Sequence, residues 1–113
     1  MKLYEETLRS VRDLIRNHDV SVEEVVTSCI RRIEETEPKI HALLAENFQD
    51  SLTLARYMDQ HCPDDYTAKP LWGVPVTIKD ALTTKDLETT AGSKILKGFL
   101  PSYDAYAVEK LKK

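Results

Sequence analysis

Residues 71–80 read Leu71-Trp72-Gly73-Val74-Pro75-Val76-Thr77-Ile78-Lys79-Asp80, and this stretch decides the predicted fold class. Its apolar and β-branched side chains predict a strand that the chain enters through a Gly-x-Pro corner. Pro75 has no N–H for a ladder hydrogen bond, so we expect it at the start of the strand or at an irregularity. Two charged residues, Lys79 and Asp80, follow directly where the predicted strand ends.

The amino-terminal half of the chain predicts helices instead. Apolar residues recur at helical spacing over residues 3–17. Ser21 and Glu24 have the spacing of a capping box, which predicts the start of a second helix. Pro38 is predicted to end that helix, because a proline disfavours helical backbone at the residue before it. We expect a third helix over residues 47–60.

The remaining segments complete the predicted architecture. Residues 40–45 are short and apolar and predict a second strand, and Asp104 is predicted to cap a last helix. We therefore expect an α/β fold in which amino-terminal helices pack on an incomplete mixed sheet. In this interpretation residues 1–60 are helical, residues 71–80 hold the strand and the lysine, and residues 81–113 form a turn and helices.

Composition excludes several classes of function. The 113 residues are 42% hydrophobic and 31% charged, which is typical of a globular chain. The net charge of −3 gives no basic footprint for nucleic acid, and no apolar run approaches the ~18 residues of a membrane span. Cys29 and Cys62 are too few for a disulfide framework, which favours a reducing, cytoplasmic compartment. His18, His41 and His61 lack metal-ligand spacing.

Lys79 is the candidate catalytic residue, and the pattern around it leaves two interpretations open. In the first, its ammonium reaches solvent or pairs with Asp80. In the second, it is partly desolvated, which lowers the pKa of a lysine and lets it act as a general base. A nearby carboxylate would oppose that effect, so the second interpretation requires Asp80 to point elsewhere. Asp80 itself is predicted to be a structural hydrogen-bond acceptor.

These segments also carry a family resemblance. Residues 71–80 resemble the lysine segment of the amidase signature family. Residues 89–96, which begin Thr89-Thr90-Ala91-Gly92-Ser93-Lys94, and residues 99–112 resemble the branch of that family that amidates tRNA-bound glutamate. Residues 21–44 are similar to the first part of the same branch. The resemblance covers nearly the whole chain in the family's order.

The resemblance implies a Ser–cis-Ser–Lys hydrolytic site in which Lys79 is the matching lysine. In the family the lysine acts on a bridging serine, which relays the proton of a nucleophilic serine. The implied reaction is hydrolysis of glutamine, whose ammonia converts Glu-tRNA(Gln) to Gln-tRNA(Gln). The implied partners are the B and C subunits of the amidotransferase, with tRNA reached only through the complex. This chain is expected to bind no cofactor, whereas its partner in the complex uses ATP and Mg.

The chain also departs from the family pattern. Members run to several hundred residues, and both serines lie in a Gly/Ser-rich segment that has no counterpart in residues 1–113. We therefore expect an amino-terminal portion that is inactive alone and that self-associates through an exposed strand at residues 71–78. Two alternatives stay open: a non-catalytic binding or structural module, and a fragment of another amidase-signature amide hydrolase.

Overall fold

The computed structural model describes residues 1–113, and its regular secondary structure is entirely helical. No strand is present anywhere in the chain, so the predicted α/β class with a mixed sheet is wrong. The α-helices are α1 (Leu8–Arg16), α2 (Val22–Ile40), α3 (Phe48–Gln60) and α4 (Tyr106–Lys112). Three short 3-10 helices are formed by Leu3–Glu5, Tyr66–Ala68 and Lys94–Leu96.

The stretch predicted as a strand, residues 71–78, is a turn followed by irregular backbone. The Val74 N–H donates to the Leu71 carbonyl at 3.0 Å, and Gly73 adopts a φ of 77°. β-Propensity measures how well a side chain fits a paired and half-buried surface, and no second strand is present to pair with this one. Self-association by edge pairing at residues 71–78 therefore has no structural basis.

The second predicted strand, residues 40–45, is also absent. Ile40 is the last residue of α2, and His41 takes a left-handed conformation with a φ of 51°. The His41 N–H donates to the Glu37 carbonyl at 2.9 Å and closes the helix. Pro38 lies inside the last turn of α2, so the prediction that it ends the helix is wrong. Pro38 has no N–H to donate to the carbonyl four residues earlier, and only Lys39 and Ile40 follow it in the helix.

Local capping signals account for where α1 and α2 begin. The predicted helix over residues 3–17 is interrupted, because Glu6 is extended and Thr7 caps α1 by accepting from the Ser10 N–H at 3.2 Å. The capping box of α2 is confirmed: the Ser21 hydroxyl accepts from the Glu24 N–H at 3.0 Å, and the Glu24 carboxylate accepts from the Ser21 N–H at 2.8 Å. α3 lies within one residue of its predicted start.

The chain divides into two compact units. Unit one comprises residues 1–41 and 48–75, and unit two comprises residues 42–47 and 76–113. The core of unit one is aliphatic, because the helices turn small and branched side chains towards one another: Leu3, Val11, Ile15, Val22, Val25, Val26 and Ala55. In unit two, Val108 of α4 is fully buried, with Pro101, Thr84 and Thr89 also buried.

Within unit one, α3 holds the amino-terminal end of α2. The Asp59 carboxylate accepts from the Val22 N–H at 2.7 Å and from the Glu23 N–H at 3.0 Å. Arg56 of the same helix forms an ion pair with Glu23 at 2.7 Å. The first N–H groups of a helix have no intrahelical partner and carry partial positive charge, so a carboxylate placed there is stabilising.

Within unit two, Asp104 does not cap the last helix as predicted. The residue at the cap position of α4 is Ala105, which offers no side-chain acceptor. The Asp104 carboxylate instead accepts from the Lys85 N–H at 2.7 Å and pairs with the Lys112 ammonium at 2.8 Å. These contacts link the loop at Lys85 to α4 through Asp104. No helix of the chain combines the length and apolarity that crossing a membrane requires.

Candidate active site

Lys79 lies in unit two at the start of a turn rather than at the end of a strand. Its carbonyl accepts from the Leu82 N–H at 2.9 Å, and its side chain is exposed. Residues 1–113 therefore do not bury Lys79 as the second interpretation requires. The Lys79 ammonium forms no ion pair with Asp80. The general-base interpretation of Lys79 requires that the Asp80 carboxylate point away from it, and the structure meets this requirement.

Asp80 is held by a turn ten residues further along the chain. Its Oδ1 accepts from the Thr90 N–H at 2.9 Å, and its Oδ2 accepts from the Thr90 hydroxyl at 2.5 Å and from the Gly92 N–H at 3.2 Å. The Asp80 carbonyl accepts from the Ala91 N–H at 3.0 Å. We name these four residues the Asp80 clamp. The prediction that Asp80 is a structural acceptor is confirmed.

The backbone of the clamp turn presents its N–H groups to Asp80. Ala91 and Gly92 have φ values of 50° and 71°, so two successive residues lie in the left-handed region. The N–H groups of Thr90 and Gly92 donate to the Asp80 carboxylate, and the Ala91 N–H donates to the Asp80 carbonyl, so two backbone donors of the turn favour the negative charge of the side chain. The hydrogen bond from the Thr90 hydroxyl, followed by those from the backbone N–H groups of Thr90 and Gly92, lowers the pKa of Asp80 below its ordinary value.

A buried pair of threonines anchors the clamp from behind. Thr89 precedes the clamp turn, and its hydroxyl donates to the Leu87 carbonyl at 3.1 Å and accepts from the Thr84 N–H at 3.4 Å. The Thr89 N–H donates to the Phe99 carbonyl at 3.0 Å. Because these polar groups are buried and satisfied, the position of the turn is fixed by contacts independent of Asp80.

Other candidate groups do not form a site. The His61 ring stacks on Tyr57 with centroids 4.0 Å apart, and its Nδ1 lies 2.8 Å from the Tyr57 carbonyl. The Cys62 thiol donates to backbone carbonyls at the end of α3. Cys29 is a free thiol whose pKa is raised by burial, as expected of a structural cysteine. No group of three metal-ligating side chains occurs in the chain.

Comparison with known protein families matches residues 24–113 to the Amidase family. The chain belongs to the Amidase family. The matched range includes Lys79, the whole Asp80 clamp and every element from α2 to α4 except the first two residues of α2. The predicted family is therefore confirmed.

Individual relatives match this amidase-family chain over nearly its whole length. The A subunit of glutamyl-tRNA(Gln) amidotransferase from Nitratidesulfovibrio vulgaris is 48% identical over 106 residues, which are 94% of this chain and 21% of that protein. The protein of the same name from Oleidesulfovibrio alaskensis is 47% identical over 111 residues, 98% of this chain and 22% of that protein. The first of the numbered A subunits of Clostridium acetobutylicum is 38% identical over 113 residues, 100% of this chain and 23% of that protein. The chain thus spans about a fifth of the length of the relatives it matches.

Three serines of this amidase-family chain have structural roles. Ser21 caps α2, and Ser93 accepts from the Ile95 N–H at 3.3 Å at the start of a 3-10 helix. Ser10 donates to the Glu6 carboxylate at 2.6 Å. No serine hydrogen-bonds to the Lys79 side chain, so residues 1–113 contain the lysine of the implied site without an activated nucleophile.

Sequence reasoning missed one residue of this region. The sequence predicts a turn within residues 81–113, and it assigns no role to Thr90. The structure gives Thr90 two of the three hydrogen bonds to the Asp80 carboxylate. The run of small residues at 89–93 is a usable signal for a turn. It carries no information on where the N–H groups of that turn point.

Proposed function

We propose that this chain is the amino-terminal part of the glutamine-hydrolysing subunit of a Glu-tRNA(Gln) amidotransferase. The observation that carries the proposal is the match to relatives of that name, which extends over 94–100% of the chain at 38–48% identity. The subunit would release ammonia from glutamine, and that ammonia would convert Glu-tRNA(Gln) to Gln-tRNA(Gln). No feature of the structure favours a non-catalytic module or a different amide hydrolase.

In this proposal Lys79 is the general base. Its amine is exposed and is not paired with the adjacent carboxylate, which leaves it open to a serine hydroxyl. The serine pair would come from outside residues 1–113, and the segment that carries it would also supply the desolvation that this chain does not. Desolvation penalises the ammonium form and so favours a lysine that accepts a proton. Residues 1–113 alone are expected to release no ammonia.

The partners and compartment follow from the same proposal. The relatives are named as one lettered subunit of a complex, so the chain would work beside the B and C subunits of that complex. We propose that tRNA is reached only through the complex and that ATP and Mg are used by one of these partners. The two free cysteines are consistent with a reducing, cytoplasmic compartment.

The proposal is tested with a chimera. The first fifth of the A subunit from Nitratidesulfovibrio vulgaris is replaced by this chain, the complex is reconstituted, and ammonia release from glutamine is measured. We expect the chimera to be active and the Lys79→Ala variant to lose at least about 100-fold in kcat, because no nearby group replaces the proton acceptor. Lys79→Arg should be equally inactive, since a guanidinium keeps the charge but does not give up its proton.

Lys97→Ala is the matched control, because Lys97 is another exposed lysine of unit two and lies outside the proposed site. It should keep the activity of the chimera. Full activity of Lys79→Ala, or activity of Lys79→Arg close to that of the parent chimera, would contradict the assignment of Lys79 as the base.

A further inference from the structure

Lys79 and Asp80 are sequence neighbours of opposite charge, and their default behaviour would be to pair. A carboxylate within about 4–6 Å of an ammonium stabilises the charged form of the lysine and occupies its donors. In the structure the carboxylate is turned away and receives three hydrogen bonds from Thr90 and Gly92. The structure must therefore contain a group that keeps the Asp80 carboxylate away from the Lys79 ammonium.

We propose that Thr90 is a positioning residue for Lys79. Through its hydroxyl and its N–H it holds the Asp80 carboxylate on the clamp turn, so that the Lys79 amine stays free to meet another group. The chemical use of that free amine rests on the proposed function. The positioning itself is a property of residues 76–113.

The energetics favour the clamp over an ion pair. An exposed lysine–aspartate pair is worth little in water, because solvent screens the charges and both side chains lose freedom. Hydrogen bonds from an O–H or N–H to an ionised carboxylate are roughly twice as strong as neutral ones, and here three act on one group. The turn that presents these donors is already fixed by buried Thr89 and its contact to Phe99, so little further ordering is required.

The Thr90 hydroxyl is the replaceable part of this arrangement. The N–H groups of Thr90, Ala91 and Gly92 are present whatever the side chains are, whereas the bond to Oδ2 at 2.5 Å requires a hydroxyl at position 90. Valine has the shape of threonine without that donor, and serine keeps the donor without the methyl group. These two substitutions separate the hydrogen bond from the packing.

The test reads the reactivity of the Lys79 amine in the 113-residue chain. The protein is treated with limiting formaldehyde and cyanoborohydride, and peptide mass spectrometry gives the extent of methylation of Lys79 relative to Lys97 in the same sample. Thr90→Val should lower this ratio by about two- to five-fold, because a released Asp80 carboxylate pairs with the ammonium. Thr90→Ser should keep the wild-type ratio. In the double variant T90V/D80N the wild-type ratio should return, which loss of structure alone would not produce.

Asp80→Asn alone gives an independent reading that does not depend on how Thr90→Val folds. If the wild-type carboxylate is already held away, removing its charge leaves the Lys79 ratio unchanged. A rise in the ratio for D80N would show that Asp80 pairs with Lys79 in the wild type and would overturn the proposal. So would an unchanged ratio in Thr90→Val, or a decrease that persists in T90V/D80N. The readout needs no substrate, so it is separate from the activity of the chimera.

Discussion

At the scale of single residues, Gly73 and Gly98 have similar backbone conformations, but adding a side chain at each would destabilise the fold to a different extent. Both have left-handed φ values, 77° and 84°. A Cβ added at Gly73 would lie 2.6 Å from Val22 Cγ2 and 3.0 Å from Ile15 Cδ1, whereas a Cβ at Gly98 would meet open space. The turn at Gly73 therefore rests directly on the core of unit one, and its lack of a side chain is a packing requirement.

We predict that Gly73→Ala lowers the free energy of unfolding by about 2–4 kcal/mol, the sum of left-handed strain and overpacking of the core. Gly98→Ala is the control and should cost about 1 kcal/mol from strain alone. Urea unfolding followed by far-UV circular dichroism measures both, and Trp72 fluorescence reports on the Gly73 variant locally. Equal losses for the two variants would rule out the packing contribution.

Asp80 gives a pH-dependent prediction at the same scale. Its pKa is lowered in the folded chain, first by the Thr90 hydroxyl, so the clamp is fully formed above the ordinary aspartate value of about 3.9. The stabilisation is lost as the pH falls through the lowered folded pKa, because the protonated carboxyl accepts these bonds less well. Carboxyl ¹³C titration should show the Asp80 midpoint rising towards about 3.9 in Thr90→Val. An unchanged midpoint would mean that the hydroxyl does not stabilise the ionised form.

At the scale of elements, helices with local signals were predictable and segments that depend on distant partners were not. The Ser21–Glu24 capping box starts α2 where predicted, because both partners lie within one turn. The apolar run at residues 71–78 has the composition of a strand, but a strand exists only with a neighbour to pair with. The sequence could place Lys79 beside Asp80. It could not show that Thr90, ten residues away, decides where the carboxylate points.

The junction between α2 and α3 yields a prediction of its own. Asp59→Ala should lower the free energy of unfolding by about 1.5–3 kcal/mol, because it removes two hydrogen bonds between a charged group and the first N–H groups of α2. Asp64→Ala is the matched control, since Asp64 is exposed in the loop after α3. Chemical denaturation of both variants under identical conditions is the measurement. A loss no larger than that of the control would show that solvent replaces Asp59 at the helix end.

At the scale of the whole molecule, unit two leaves much apolar surface in water. Ile95 is 93% exposed and Leu100 is 59% exposed. Further large apolar side chains of the same unit are exposed: Leu44, Val76, Leu82, Leu96, Phe99, Tyr103, Tyr106 and Leu111. Single exposed apolar residues are ordinary, but this density in a small unit is typical of surface that another molecule or segment covers.

We predict that the 113-residue chain self-associates through these side chains, without any pairing of strand edges. Sedimentation velocity over a concentration series should show a weight-average sedimentation coefficient that rises with protein concentration. The double variant I95K/L100K should shift association to higher concentration, because two charges replace apolar surface. Leu54→Lys, a charge placed on an exposed position of α3 in unit one, is the control. A monomer at every concentration would refute the prediction.

The division of the chain into units has a consequence for dissecting it into fragments. Unit two takes residues 42–47 from one part of the sequence and residues 76–113 from another, with residues 48–75 of unit one between them. The polypeptide therefore passes between the units three times, and no single cut separates them. A fragment ending at Pro75 would keep residues 42–47 without the rest of their unit, and a fragment beginning at Val76 would lack them. Limited proteolysis of this chain releases intact units only when it cleaves at all three crossings.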